Sequence, residues 1–193
     1  MFSPRPPLVT ALLALTLMGG AFLGLRVCTR QMEKPVVPTI NDPNDANTVW
    51  RADTPLSHAE ALAKGKCPIA LPSEASHVQY VDFYDYGFMH CVCFEAPVAA
   101  CRTHAATVME AFNRQMQASH NDLRVDVQAR PLDRDSAASA ARLVREDVAE
   151  AARAAWFTPD TIVHGEVWGR RESHTPWVVI DTDKGVFYYL KTD

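Results

Sequence analysis

The chain has no surplus of positive charge. Its 193 residues carry 19 Lys and Arg against 23 Asp and Glu, and the basic residues nowhere gather into the patch that releases counterions from a nucleic acid. That argues against a nucleic-acid partner. Cysteine is scarce too: Cys28, Cys67, Cys91, Cys93 and Cys101 are too few for a disulfide scaffold, in a chain long enough to need none. The catalytic signatures that depend on local spacing are also missing. There is no glycine-rich phosphate loop, no Gly-x-Ser-x-Gly elbow, no His-Glu-x-x-His and no Cys-x-x-Cys. No cofactor is expected. Arginine and alanine outnumber lysine, the bias of a GC-rich bacterial coding sequence.

Long apolar runs are absent with one exception. Leu8 to Leu25, LVTALLALTLMGGAFLGL, carries no charge and is followed at once by Arg26 and Arg30. In hydrocarbon a backbone must satisfy its own hydrogen bonds, so such a run is stable there as a helix, spanning roughly 27 Å. We read it as an uncleaved single-pass anchor whose lipid partner is the bilayer. A cleaved leader would need small residues at its exit, where Leu25-Arg26-Val27 stands. A lipidated Cys28 would need a small residue in place of Val27. Gly20 and Gly24 form a Gly-x-x-x-Gly, a candidate contact for a homodimer. The count of flanking charges, Arg5 against Arg26, Arg30 and Lys34, favours a cytoplasmic domain. A short basic N-terminus followed by an extended stalk favours the opposite, and the extracytoplasmic side (periplasm or cell surface) is the expectation.

The organisation that follows is a short tail over 1–7, the anchor over 8–25, a stalk rich in Pro, Asn and Asp over 26–53, and one soluble domain over 54–193. Pro35, Pro38 and Pro43 lack amide donors and hold the stalk extended. Asp42 to Asn47 superficially resembles a calcium loop but has neither its glycine nor its terminal glutamate.

Within the domain the pattern predicts an α+β fold: an antiparallel sheet of about five strands packed on two main helices. Ser57 and Glu60 have capping-box spacing and Gly65 closes the short helix they open. Cys67 to Pro72, apolar and twice interrupted by proline, reads as a packed extended segment. His77 to Asp85 and Phe88 to Glu95 read as a hairpin turning at Tyr86-Gly87. Pro97 opens a helix whose stripe is Val98, Cys101, Ala105, Val108, Phe112 and Met116, with His104 and Glu110 off the stripe and solvated. Leu123 to Val127 alternates like a short strand or a loop. Asp135 or Ser136 caps a second helix through about Trp156. Ile162 to Trp168 is a weaker strand. Pro176 to Thr182 and Val186 to Lys191 form the clearest hairpin, expected to be integral to the core sheet. If Thr182 pairs with Val186, Trp177 and Tyr189 share one face. Since both faces of this hairpin are apolar, each needs a cover.

The chemistry-bearing candidates are few. On the second strand Cys91 and Cys93 share one face and His90 the other, so His90, Cys91 and Cys93 are the candidate metal or thiol site. The alternative is that both cysteines are buried apolar groups, unpaired with each other, or bridged to Cys67 or Cys101. Trp177 and Tyr189 are the candidate partner-binding pair, on a face left open for a protein. The reading is therefore a membrane-anchored, non-enzymatic binding or assembly module of the bacterial envelope. The alternatives are an enzyme site around His90, Cys91 and Cys93, and a purely structural accessory subunit of a membrane complex.

Overall fold

Alternating valine, tyrosine and phenylalanine build the two strands Ser76–Tyr84 (β2) and Phe88–Glu95 (β3), which pair antiparallel with Tyr84 opposite Phe88. The computed structural model describes residues 49–85 and 87–193. The N-terminal tail, the Leu8–Leu25 segment with Gly20 and Gly24, Cys28 and the stalk as far as residue 48 lie outside the described residues. Among the described residues no helix is long and apolar enough to cross a membrane.

The fold is α+β, with one antiparallel sheet of seven strands rather than five. The remaining strands are β1 (Val49–Leu56), β4 (Arg130–Pro131), β5 (Gly165–Gly169), β6 (Trp177–Asp181) and β7 (Val186–Thr192), and the order is β1-β2-β3-β7-β6-β5-β4. The two strands that the pattern hides are the edges. β1 begins inside the stretch read as stalk: Val49 and Ala52 are buried against β2, and the alternation is obscured by an irregularity between Ala52 and Leu56, around Pro55. β4 is only two residues long. Leu123 to Val127 is not a strand. Its one buried residue, Val125, is pinned by the Asn113 side chain, which accepts from the Val125 amide at 2.9 Å and donates to its carbonyl at 2.9 Å. A single side chain thus replaces a ladder.

Three helices cover the sheet. α1 (His58–Lys64) has the reciprocal capping box of Ser57 and Glu60 and ends at Gly65 in the left-handed region. α2 (Val98–Ala118) starts after Pro97, which occupies the cap position itself. α3 (Arg134–Arg142) is capped by Asp133 and stops well short of Trp156. A single π-turn, Leu143–Asp147, follows, and Val148 is extended. A continued helix would carry the apolar stretch beyond it away from the sheet. Instead the chain folds back, the Ala154 amide donates to the Val144 carbonyl at 3.2 Å, and Ala152, Ala154 and Phe157 become fully buried. The Arg51 guanidinium of β1 donates to the carbonyls of Ala151 and Arg153, satisfying backbone that no helix would pair.

The sheet is therefore covered on both sides from within. One face carries Met89, Cys91, Cys93, Trp177, Val179, Tyr188 and Leu190 under α3 and the fold-back. The other carries Tyr80, Val92, Phe94, Val178, Ile180, Phe187 and Tyr189 under α2, α1 and the Cys67–Leu71 segment. The C-terminal hairpin lies at the centre of the sheet, as its pattern predicts, but in a different register. Asp181, not Thr182, pairs with Val186, and Trp177 pairs with Leu190. The turn sets this: one Asp181 carboxylate oxygen accepts from the amides of Asp183 and Lys184, and Gly185, at φ 70°, donates to the Asp181 carbonyl. A one-residue slip exchanges faces. Trp177 and Tyr189 consequently point to opposite sides of the sheet, at 2% and 5% exposure.

Candidate functional site

Asp82 on β2, His90 on β3 and Lys191 on β7 stand opposite one another across three adjacent strands, Asp82 paired with His90 and His90 with Lys191. Directly opposed side chains on one face lie about 5 Å apart, close enough to interact. His90 Nδ1 is 2.6 Å from Asp82 Oδ1, in a mostly buried pair. A carboxylate on Nδ1 fixes the tautomer and orientation of an imidazole and leaves the Nε2 edge for another partner.

The row opens into a cleft of about 330 Å³ between α2, the Pro68–Ala70 segment and the ends of β3 and β7. Its walls combine apolar groups (Ile69, Val108, Phe112) with polar ones (His90, Thr107, Gln115, Lys191), and no carboxylate lines it. The Lys191 ammonium lies 5.6 Å from the Phe88 ring centre and 5.4 Å from that of Phe112. Aromatic faces attract a cation but do not neutralise it. Among the described residues Lys191 has no ion-pair partner, and burial alone pulls its amine below the ordinary lysine value. Around His90, Trp50 and Tyr84 meet edge-to-face, Tyr84 meets His90 likewise at 5.5 Å, and Phe88 tilts over His90 at 4.8 Å.

His104 also lines the cleft, from the α2 side. It is not solvated: it is 8% exposed, wedged against Phe94 at 5.7 Å and Phe187 at 5.3 Å between ring centres, and its Nε2 has no hydrogen-bond partner. Burial holds its imidazole below the usual histidine value, with the Ala70 backbone opposing in part. Glu110 is exposed, as expected.

The other sequence candidates fall elsewhere. Cys91 and Cys93 share a face with each other and not with His90, and both are buried and free. Burial pushes the Cys93 thiol up to about 12 and Cys91 well above its ordinary value. Cys67 and Cys101 are free as well, on the opposite side of the sheet from that pair, each with its thiol raised by burial to about 11. Protonated thiols of this kind are poor nucleophiles. Among the described residues no group of three His, Cys, Asp or Glu side chains is placed to hold a metal ion. Tyr189 lines the cleft by His90, while Trp177 lines separate hollows on the other side, beside Arg171 and Glu172.

Sequence reasoning singled out His90 and Tyr189 but missed their neighbours Asp82, Lys191 and His104. A register for the first hairpin would have found the pair, since Tyr84 opposite Phe88 puts Asp82 opposite His90. Lys191 needed the β3–β7 pairing, which no local pattern announces. No family model, curated protein or solved structure matches this chain. The arrangement itself can hold, orient and charge-match a small molecule. It presents an oriented imidazole and an unpaired ammonium.

Proposed function

We propose that the chain is a membrane-anchored, non-enzymatic binding module of the bacterial envelope, with its domain on the extracytoplasmic side, and that the cleft over Asp82, His90 and Lys191 is its binding site. The Leu8–Leu25 run supports the anchor. The observation that carries the binding reading is the cleft: an oriented His90 and an unpaired Lys191 placed in a concave, partly apolar setting, the usual make-up of a small-molecule site. Both sheet faces are covered from within, with Trp177 and Tyr189 buried on opposite sides, which favours a small molecule in the cleft over a protein laid across the sheet.

The test uses the full-length protein, extracted in mild detergent from membranes washed at alkaline pH. Ala111 is exposed on α2 and lines the cleft, so Ala111→Trp fills the cleft without touching the core. Native mass spectrometry of the wild type should show a co-purified small molecule that the tryptophan variant lacks. Equal occupancy of both proteins, or none in either, removes the cleft as the site. Recovery of a shorter, soluble mature form removes the anchor.

A further inference from the structure

We infer that the cleft selects a small organic carboxylate with an apolar body, its carboxylate held between Lys191 and the Nε2 edge of His90 and its body lying on Ile69, Val108 and Phe112. The inference rests on the cleft being the binding site, and goes further by naming the class of ligand.

Three observations converge on it. The first is the charge balance of the row. Asp82 is the one carboxylate in it and is already engaged with His90 Nδ1 at 2.6 Å, which leaves Lys191 without a counter-charge among the described residues. A partly buried unpaired charge is costly, and an arriving anion removes that cost. The second is the composition of the walls. No Asp or Glu lines the cleft to repel an anion, whereas two basic side chains do line its strand side. The third is the apolar remainder. Phe112 and Val108 from α2 face Ile69 from the extended segment across the hollow, and a bare inorganic anion would leave that surface unused. A carboxylate fits the register of the row: Lys191 and His90 are direct cross-strand neighbours, so one oxygen can accept from the Lys191 ammonium and the other from the Nε2–H of His90 in its imidazolium form, in which both ring nitrogens donate, one to Asp82 and one to the ligand.

The experiment is calorimetric titration of the full-length protein in dodecyl maltoside with 3-phenylpropionate, its neutral amide 3-phenylpropanamide and inorganic phosphate, each against empty micelles. The carboxylate should bind saturably, and the amide about tenfold or more weaker, as loss of a charge-assisted hydrogen bond implies. Phosphate should not compete. Lys191→Gln should weaken the carboxylate about tenfold while leaving the amide unchanged, and Lys191→Arg, which keeps the charge, should restore most of the loss. Near-UV circular dichroism establishes that each variant is folded, and His90→Gln provides a second loss at an independent position. Equal binding of amide and carboxylate, with both abolished by Ala111→Trp, would overturn the choice of an anion and leave the cleft a binding site. Phosphate binding as tightly as the carboxylate would overturn the organic body. No saturable binding of any probe would overturn the ligand class, and the co-purification experiment then decides separately whether the cleft binds anything.

Discussion

β3 has two sides, and they do opposite things. Met89, Cys91 and Cys93 enter a dry core with Ala137, Ala140, Val144 and Phe157, where the Tyr188 hydroxyl meets Thr158 at 3.3 Å. One residue along, His90 turns to the other side, meets Asp82 and Lys191 and borders a cleft, while Val92 and Phe94 on that side are as fully buried as anything in the molecule. The dry face buys stability. The mixed face gives up some burial near its strand ends and gains an unpaired ammonium, an oriented imidazole and room for a ligand. The same alternation thus builds a core and a site, and they can be disturbed independently.

The largest expected effect comes from the element that serves both faces. β7 supplies Val186, Tyr188 and Leu190 to the dry side and Phe187, Tyr189 and Lys191 to the mixed side, and it sits between β3 and β6. Each large apolar side chain, if fully buried, contributes about 1.5–3 kcal/mol, so the strand rivals the roughly 5–15 kcal/mol that separates a folded domain from an unfolded one. Deleting Val186 onward should abolish cooperative unfolding as followed by circular dichroism. A truncated chain that still melts cooperatively would show that neither face depends on this strand.

A smaller effect separates the faces. Cys91→Ala removes a buried sulfur from the dry side, opposite the cleft, and should cost about 1 kcal/mol in urea titrations, with 3-phenylpropionate affinity unchanged. In the wild type both Cys91 and Cys93 should resist a thiol reagent until the protein unfolds, because burial keeps the thiols protonated and covered. Rapid labelling of either in the folded protein would mean that the dry face opens.

How far the sequence discloses this contrast depends on the distance over which each signal acts. Local signals were legible: the Ser57–Glu60 capping box, the partition of β3 with cysteines on one side and His90 on the other, and the strength of the C-terminal hairpin. What failed was set at longer range. The hairpin register turned on Asp181 accepting two turn amides, and a one-residue difference there moved Trp177 and Tyr189 to opposite sides of the sheet. β1 was hidden because Pro55 and an irregular register break its alternation, although Val49 is wholly buried. The sequence reads as one helix through about Trp156, yet Arg51, about a hundred positions away, supplies the donors that let the chain turn back. The row Asp82, His90 and Lys191 joins three strands, and only the tertiary pairing of β3 with β7 assembles it.

The smallest expected effect is also the most specific to the mixed face. His104 projects from α2 into an aromatic setting, with Phe94 and Phe187 against the ring and no partner for Nε2. His104 lines the cleft together with His90, Lys191 and Tyr189, and no carboxylate is among the groups lining it. Burial therefore disfavours its charged form, and its value when folded lies below the 6.5 expected of an unfolded histidine. The sign follows from proton counting. Between the lowered folded value and about 6.5 the unfolded chain binds more protons than the folded one, so stability rises with pH across that window, is fully present above it and is lost as the pH falls. Four other histidines face acids, His77 with Glu95, His90 with Asp82, His164 with Asp183 and His174 with Asp193, so the comparison must be between proteins and not between pH values alone. Urea unfolding of the wild type and of His104→Leu at pH 7.5, 6.5 and 5.5 isolates the residue. The leucine variant should gain on the wild type as the pH falls, because it has no imidazole to protonate on unfolding. Parallel pH dependence of the two would mean that the ring finds water or an acceptor in solution, and that the mixed face is wetter around α2 than its packing indicates.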